Sequence, residues 1–223
     1  MIRFYQAEDR KEETLEYLMA SVKREAEKLG EYTLITNPLD LGKEIAPSGV
    51  KYPQTYAKLI LLRNSVDELQ NGDIFVYVDS DMYAKTFKGY IDYINNSNKY
   101  FFFTAYLTGM VNSGLMALKI NDTTREIVKN LEMRNETYLR TNYLGEVQAT
   151  TDEEIWNYNF MNNFTGINQY VDFVPTKRFS SIPQKRLFGN ELPFLEISKE
   201  TEIFHFLRES KEYCREILDE ILS

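Results

Sequence analysis

Residues 74–78, Ile-Phe-Val-Tyr-Val, form an unbroken run of apolar and β-forming side chains that stops at an acidic triplet, Asp79-Ser80-Asp81. A strand with one wet face alternates polar and apolar residues. A run with no polar side belongs to a central strand covered on both faces. In an α/β protein helices provide that cover, and ligands bind beyond the carboxyl ends of such strands, where this triplet stands.

The flanking sequence follows the same logic. Ile2 to Gln6 is a short β-type run, and Glu12 to Leu29 sets Leu15, Leu18, Met19, Val22, Ala26 and Leu29 near the period of an amphipathic helix closed by Gly30. Tyr32 to Thr36 reads as a second strand, so the chain opens β-α-β, as a parallel sheet with crossover helices requires. Asn37 to Val50 carries Pro38, Gly42, Pro47 and Gly49 and reads as a loop, with Pro53 placed to start a helix over Thr55 to Asn64. Further on, Phe101 to Tyr106 and Leu115 to Ile120 are strand candidates. Asp122 to Met133 reads as a helix capped by Asn121 or Asp122. Asp152 to Phe160 is helix-like, Tyr170 to Val174 and Ile203 to Phe206 are strand-like, Thr176 to Leu192 is a loop, and Glu209 to Leu222 is a last amphipathic helix. No repeat or linker interrupts the 223 residues, so a single domain over 1–223 is expected.

Charge and composition narrow the function. A formal net charge of -8 argues against wrapping a nucleic-acid backbone, which needs many Lys and Arg contacts to phosphate. With 43% apolar and 27% charged residues and no long apolar run, no membrane-spanning segment is expected. The start, Met1-Ile2-Arg3-Phe4, lacks a basic-then-apolar leader, and the one cysteine, Cys214, cannot make an internal disulfide; both favour a reducing cytoplasm. The 16 tyrosines suit stacking on sugars or bases as well as ordinary packing.

Two carboxylates at a strand end, Asp79 and Asp81, can hold Mg²⁺ or Mn²⁺ with positions left for substrate phosphates. A bare Asp-x-Asp is also compatible with a solvated loop, so its surroundings decide. Thr55-Tyr56-Ala57-Lys58-Leu59, followed by Asp73-Ile74-Phe75-Val76-Tyr77-Val78-Asp79-Ser80-Asp81-Met82, resembles the family 8 glycosyltransferases of the GT-A fold. In that family a Tyr-Ala-Arg-Leu-like helix leads to a strand ending in Asp-x-Asp. Asn112-Ser113-Gly114-Leu115-Met116 is similar to the family's Asn-Ser/Ala-Gly strand start. Asp152-Glu153-Glu154-Ile155-Trp156-Asn157 is similar to its Asp-Gln-Asp-Ile-Leu-Asn segment, with Glu153 in the Gln position. His205-Phe206 with Lys211 resembles part of its His-x-x-Gly-x-x-Lys-Pro-Trp motif, although Arg208 replaces Gly and Glu212-Tyr213 replaces Pro-Trp.

The resemblance implies a nucleotide-diphospho-sugar transferase fold, a mostly parallel sheet flanked by helices, with a nucleotide- and metal-binding half over 1–111 and a sugar half over 112–223. It implies that Asp79, Asp81 and His205 hold Mn²⁺ or Mg²⁺, that Asp79 also contacts the ribose, and that Lys58 and Lys211 neutralise the diphosphate. It further implies that Asn112, Ser113, Gly114 and Asp152 bind the donor sugar, with Ala7 and Asp9 near the base. UDP is the expected nucleotide, a glycan or other hydroxyl compound the acceptor, and retention of configuration the outcome. An inverting enzyme would need a carboxylate base, for which Asp152, Glu153 and Glu154 are available; Asp152 and Glu153 are the candidate catalytic residues. The acids also suit a helix first turn. The basic loop residues Lys177, Arg178, Lys185 and Arg186 suit an anionic acceptor or plain solvation. The apolar face of the last helix suits the core or a homodimer contact. A nucleotidyltransferase and a non-catalytic sugar-binding module on the same fold are the competing readings; no Gly-rich phosphate loop follows the first strand to support the former.

Overall fold

The computed structural model describes residues 1–46, 53–106, 109–132, 140–141, 147–148, 151–181, 186–187, 190–191, 199–206 and 211–223. The chain opens with strand β1 (Ile2–Ala7), helix α1 (Glu13–Ala26) and strand β2 (Glu31–Ile35). The stretch read as a loop contains a short helix, α2 (Pro38–Lys43), with Pro38 in its first turn, where a missing N–H costs nothing. A 3₁₀ turn at Pro53–Tyr56 then feeds α3 (Ala57–Glu68), β3 (Ile74–Val78), β4 (Met82–Ala84) and α4 (Lys88–Asn96). Strands β5 (Phe101–Ala105) and β6 (Val111–Lys119) precede α5 (Asp122–Lys129), whose cap is Asn121, its side chain accepting from the Thr124 N–H at 2.9 Å.

In the second half a two-residue ladder, β7 (Arg140–Thr141) with β8 (Val147–Gln148), comes before α6 (Asp152–Met161). Then follow a 3₁₀ segment over Phe164–Tyr170, β9 (Val171–Phe173) and α7 (Thr176–Phe179). The chain finishes with the ladder β10 (Arg186–Leu187) and β11 (Asn190–Glu191), then β12 (Ile203–His205) and α8 (Cys214–Leu222). Residues 47–50 of the expected loop, Met133, Lys185, Arg208 and the expected helix start at Glu209 lie outside the described residues. Among the described residues no helix is long and apolar enough to cross a membrane.

The main sheet has six strands in the order β2-β1-β3-β6-β5-β9. All run in one direction except β6, which is antiparallel to both β3 and β5. Each central strand divides its side chains between two cores, as the period of two demands. Tyr5, Phe75, Tyr77, Phe101, Phe103, Met116 and Leu118 pack with Leu59, Leu62 and Val66 of α3, Ile127 and Val128 of α5, and Ile155 and Trp156 of α6. Phe4, Ile74, Val76, Val78, Phe102, Leu115 and Ala117 face the other way, onto Val22 and Ala26 of α1 and Tyr90, Ile91 and Ile94 of α4. The continuous apolar run at 74–78 is thus covered on both faces.

Two irregularities shape the end of this sheet. The β5–β6 register pairs Phe103 with Met116 but Thr104 with Asn112, so residues 113–115 bulge away from β5 while Val78 still pairs with Leu115. Such bulges re-aim side chains at a strand end. Separately, β4 and β12 form their own antiparallel ladder, pairing His205 with Met82. It is held by a third core in which Leu18 of α1, Tyr83, Phe204 and Phe206 meet Cys214, Ile217 and Leu218 of α8. The apolar face of α8 therefore covers the core.

Candidate active site

The carboxyl end of β3 and the start of β6 lie side by side, with the Asp79 N–H donating to the Gly114 carbonyl at 2.7 Å. Gln6, fully buried near the end of β1, donates from Nε2 to the Asp79 carbonyl at 3.0 Å and accepts from Tyr32 Oη at 2.9 Å. Ser80 turns the other way and donates to Glu8 Oε2 at 2.6 Å. Both aspartates of the triplet are thereby aimed at the cleft from a fixed backbone.

His205 reaches them from the far end of the chain. Its Nε2 lies 3.1 Å from Asp81 Oδ1, an ion-pair distance, yet among the described residues neither ring nitrogen nor that oxygen has a well-aligned hydrogen bond, and all three atoms are buried. One ligand atom each from Asp79, Asp81 and His205 can be chosen so that all lie within 4.8 Å of one another. Gly114 makes the approach possible: a Cβ at this position would stand 2.6 Å from His205 Cε1 and 3.0 Å from Asp79 Oδ2.

Each aspartate is tied to a lysine through one oxygen. Lys58 Nζ lies 2.9 Å from Asp79 Oδ1, and Lys211 Nζ lies 2.7 Å from Asp81 Oδ2. Burial pushes the proton affinity of Asp79 up, and the Asp81 charge adds to this against Lys58. At Asp81 burial acts in the same direction but is outweighed by His205 and Lys211, which hold its carboxyl well below the usual range. His205 is raised, because the Asp81 charge overcomes a burial that by itself would lower it. Orphaned buried acceptors facing an imidazole are costly as they stand. Two carboxylates and an imidazole are a donor set that fits a divalent first-row cation such as Mn²⁺ and, less well, the oxygen-preferring Mg²⁺.

Behind this trio lies a second set of acids. Lys58 is buried and shared: its Nζ is 3.4 Å from Asp152 Oδ2 and donates to Ser113 Oγ at 3.2 Å. The Ser113 hydroxyl in turn donates a hydrogen bond to Asp152 Oδ2 at 2.5 Å. Burial opposes the ammonium, but Asp152 and Asp79 together keep its proton affinity well above the ordinary lysine value. Asn112 is oriented by the Gly114 N–H, which donates to Oδ1 at 2.9 Å, leaving Nδ2 buried without a partner. Glu153 Oε1 accepts from the Ser113 N–H at 3.2 Å and from Tyr106 Oη at 3.0 Å. Trp156, buried between Phe103 and Phe160 at ring distances of 4.9 Å and 6.0 Å, anchors the helix that presents these acids.

Asp79, Asp81, His205, Lys58, Lys211, Asn112, Ser113, Gly114, Asp152 and Glu153 thus lie together at one end of the sheet. Glu154 belongs to a capping box with Thr151, accepting from its N–H at 2.8 Å, and is a helix-terminus residue. Ala7 ends β1 and the exposed Asp9 follows, but the anchored acid of that turn is Glu8. It accepts from Asp9 N, Arg10 N, Arg10 Nε, Arg10 Nη2 and Ser80 Oγ. Sequence reasoning did not single out Glu8, Gln6 or Tyr106; the signals available were an uncharged amide among the last residues of a short strand and a tyrosine at the end of the Phe101–Tyr106 run. Of the basic loop residues, Arg178 is taken by Glu202 at 2.9 Å.

No family model matches this chain, and no curated protein matches it either. Solved structures do. A glycosyltransferase involved in the glycosylation of the major capsid of PBCV-1 is 13% identical with a TM-score of 0.63, over 99% of this chain and 100% of that one. The galactosyltransferase LgtC, solved in complex with donor and acceptor sugar analogs, is 12% identical with a TM-score of 0.57, over 99% and 95% of the two chains. Mouse xyloside xylosyltransferase 1 is 10% identical with a TM-score of 0.56, over 94% and 99%. The likeness is one of fold, the GT-A arrangement of a mostly parallel sheet flanked by helices.

Proposed function

We propose that this protein is a metal-dependent glycosyltransferase that takes a sugar from a nucleotide-diphospho-sugar, a UDP-sugar foremost, and passes it to a hydroxyl of a glycan or other acceptor with retention of configuration. The observation that carries this reading is the convergence of Asp79, Asp81 and His205 with two lysines at one sheet end, on a fold shared with glycosyltransferases.

In this reading Asp79, Asp81 and His205 hold the cation, Mn²⁺ ahead of Mg²⁺ because an imidazole is among the donors. When bound, the cation supplies positive charge to the diphosphate as the bond to the sugar breaks. Lys211 lies beside Asp81 and would add charge where the leaving group forms. Lys58 does so from the Asp79 side and holds Asp152 in place. Asn112 Nδ2 is a buried donor with no protein partner and suits a sugar oxygen, with Ser113 and Gly114 forming the floor. Ala7 and Asp9 would meet the base, and Asp79 the ribose.

Asp152 and Glu153 are the carboxyl groups at the sugar. Asp152 is buried and committed to Ser113 and Lys58, which suits orienting the donor and leaves it poorly placed to collect a proton from an entering hydroxyl. That supports retention, in which the leaving phosphate assists attack on its own face. The chain acts as one catalytic domain, residues 1–111 serving nucleotide and metal and 112–223 serving the sugar. The single buried cysteine suits a reducing cytoplasm.

The test is calorimetric titration of UDP and GDP with Mn²⁺ and then with EDTA, on the native protein and on Asp81→Ala. Metal-dependent binding of UDP, lost in the variant, is the expected result. No binding of either nucleotide would sink the reading, and binding without turnover of any UDP-sugar would favour a non-catalytic module.

A further inference from the structure

Glu153 is the one acid of this cluster without a cation of its own. Three carboxyl groups, Asp79, Asp152 and Glu153, lie around a single buried ammonium, and Lys58 spends it on the first two. Glu153 receives two neutral donors, Tyr106 Oη from the end of β5 and the Ser113 N–H from β6, and both fall on Oε1. Among the described residues no hydrogen bond reaches Oε2. With both donors on one oxygen, a proton on this carboxyl belongs on the other.

We propose, building on the transferase reading, that Glu153 works as a neutral carboxylic acid donating its Oε2 proton to an oxygen of the bound sugar, with Tyr106 as the positioning residue that reserves Oε1 as the acceptor. The groups facing it are Asp152 on its own helix, Lys58 from α3 and Tyr106 from β5, with Asp79 beyond them. Burial and the neighbouring Asp152 charge raise the Glu153 carboxyl to about 7, against the partial relief that Lys58, Ser113 and Tyr106 give its anion. The proton is therefore held into the neutral range and lost as pH climbs past it. A general base would behave in the opposite sense, being useful only once that proton has left.

The experiment compares UDP, UDP-glucose and UDP-galactose binding with Mn²⁺ at pH 6 and pH 8. UDP lacks the donor hexose but its terminal phosphate titrates in this window, so the reference is UDP methylated on its β-phosphate, which carries the same diphosphodiester charge as a UDP-sugar; dividing that out isolates the hexose contact. The expected result is a sugar-dependent gain in affinity at pH 6 that falls by close to about tenfold at pH 8, following the protonated fraction. Glu153→Gln, a permanent neutral donor, makes that gain independent of pH. Tyr106→Phe removes a hydrogen bond that favours the anion and moves the midpoint upward; a merely structural tyrosine would leave it in place. In the metal-free protein, the Glu153 carboxyl followed by carbon NMR should titrate near neutrality and shift the same way in Tyr106→Phe.

UDP binding with identical pH profiles for the β-methylated UDP and both UDP-sugars would overturn the proposal and leave the transferase reading standing. So would a sugar contact that strengthens with pH, or a carboxyl titrating in the ordinary glutamate range. No UDP binding at either pH is a failure of the transferase reading, and the NMR titration then decides the protonation state by itself.

Discussion

Replacing Lys58 with Met tests whether one buried ammonium balances the acids of the site. The methylenes can stay packed near Tyr77, whose ring centroid lies 5.2 Å from Nζ, so the change removes charge while leaving most of the volume. What remains is Asp79 and Asp152, formerly 2.9 Å and 3.4 Å from Nζ, with His205 on the Asp79 side as the nearby counter-charge and the lysine's own gone. Removing one partner of a buried pair costs about 3–5 kcal/mol, because the survivor is still out of water. For a chain of this size that corresponds to a fall of roughly 6–20 °C in Tm.

The pH dependence has a definite sign. In the native protein the Lys58 proton affinity is raised, so its contribution is fully present below its unfolded value of 10.5 and is lost only as pH rises through the higher folded value. In Lys58→Met the buried Asp79 carboxyl, already raised by burial, loses the relief that Lys58 gave it, so the variant is least impaired in acid and loses stability as pH climbs to neutrality. Urea unfolding of both proteins at several pH values measures this. A deficit below about 1 kcal/mol at neutral pH, the worth of an exposed pair, or one that does not shrink in acid, would refute the charge-balance argument.

Gly114→Ala should weaken Mn²⁺ binding at least tenfold by calorimetry, because the new methyl meets His205 Cε1 at 2.6 Å and the ring must leave its position; unchanged affinity would show that His205 is not a ligand. Thr151→Ala should cost about 1 kcal/mol in urea unfolding through loss of the α6 cap, and adding Glu154→Ala should cost little more because the two residues share one capping box. Full additivity of those two changes would mean that Glu154 has a separate role.

Much of this fold is visible in the residues themselves. The run at 74–78 announces a strand covered on both faces, and the Leu15-Leu18-Val22-Ala26 stripe announces α1, because both signals are local and repeat with the right period. Helix α4 carries only a short apolar stripe, Tyr90, Ile91 and Ile94, over nine residues, too brief a period to stand out along the chain. The first residues of β6 carry no local strand signal, since Asn112, Ser113 and Gly114 are polar or small, and only the motif likeness marked a strand start there; the Asp79–Gly114 bond and the bulge opposite β5 give them their backbone. The aspartates, His205 and the lysines were found through motif likeness. Gln6, Glu8 and Tyr106 were not, because each acquires its meaning from a partner remote in sequence, Asp79, Ser80 and Glu153 respectively.

The ladder of β4 with β12 also bears on the order in which the molecule assembles. Asp81 is separated from His205 and Lys211 by more than half the chain, so their contact closes one of the longest loops in the protein and forms after the local β-α units have collapsed. On the ribosome, residues 1–111 can pair the adjacent strands β2, β1 and β3 while their acidic edge still waits for the imidazole. Recovery of Mn²⁺ affinity during refolding would therefore lag behind the return of secondary structure, and a cation would serve as a clock for this long-range closure.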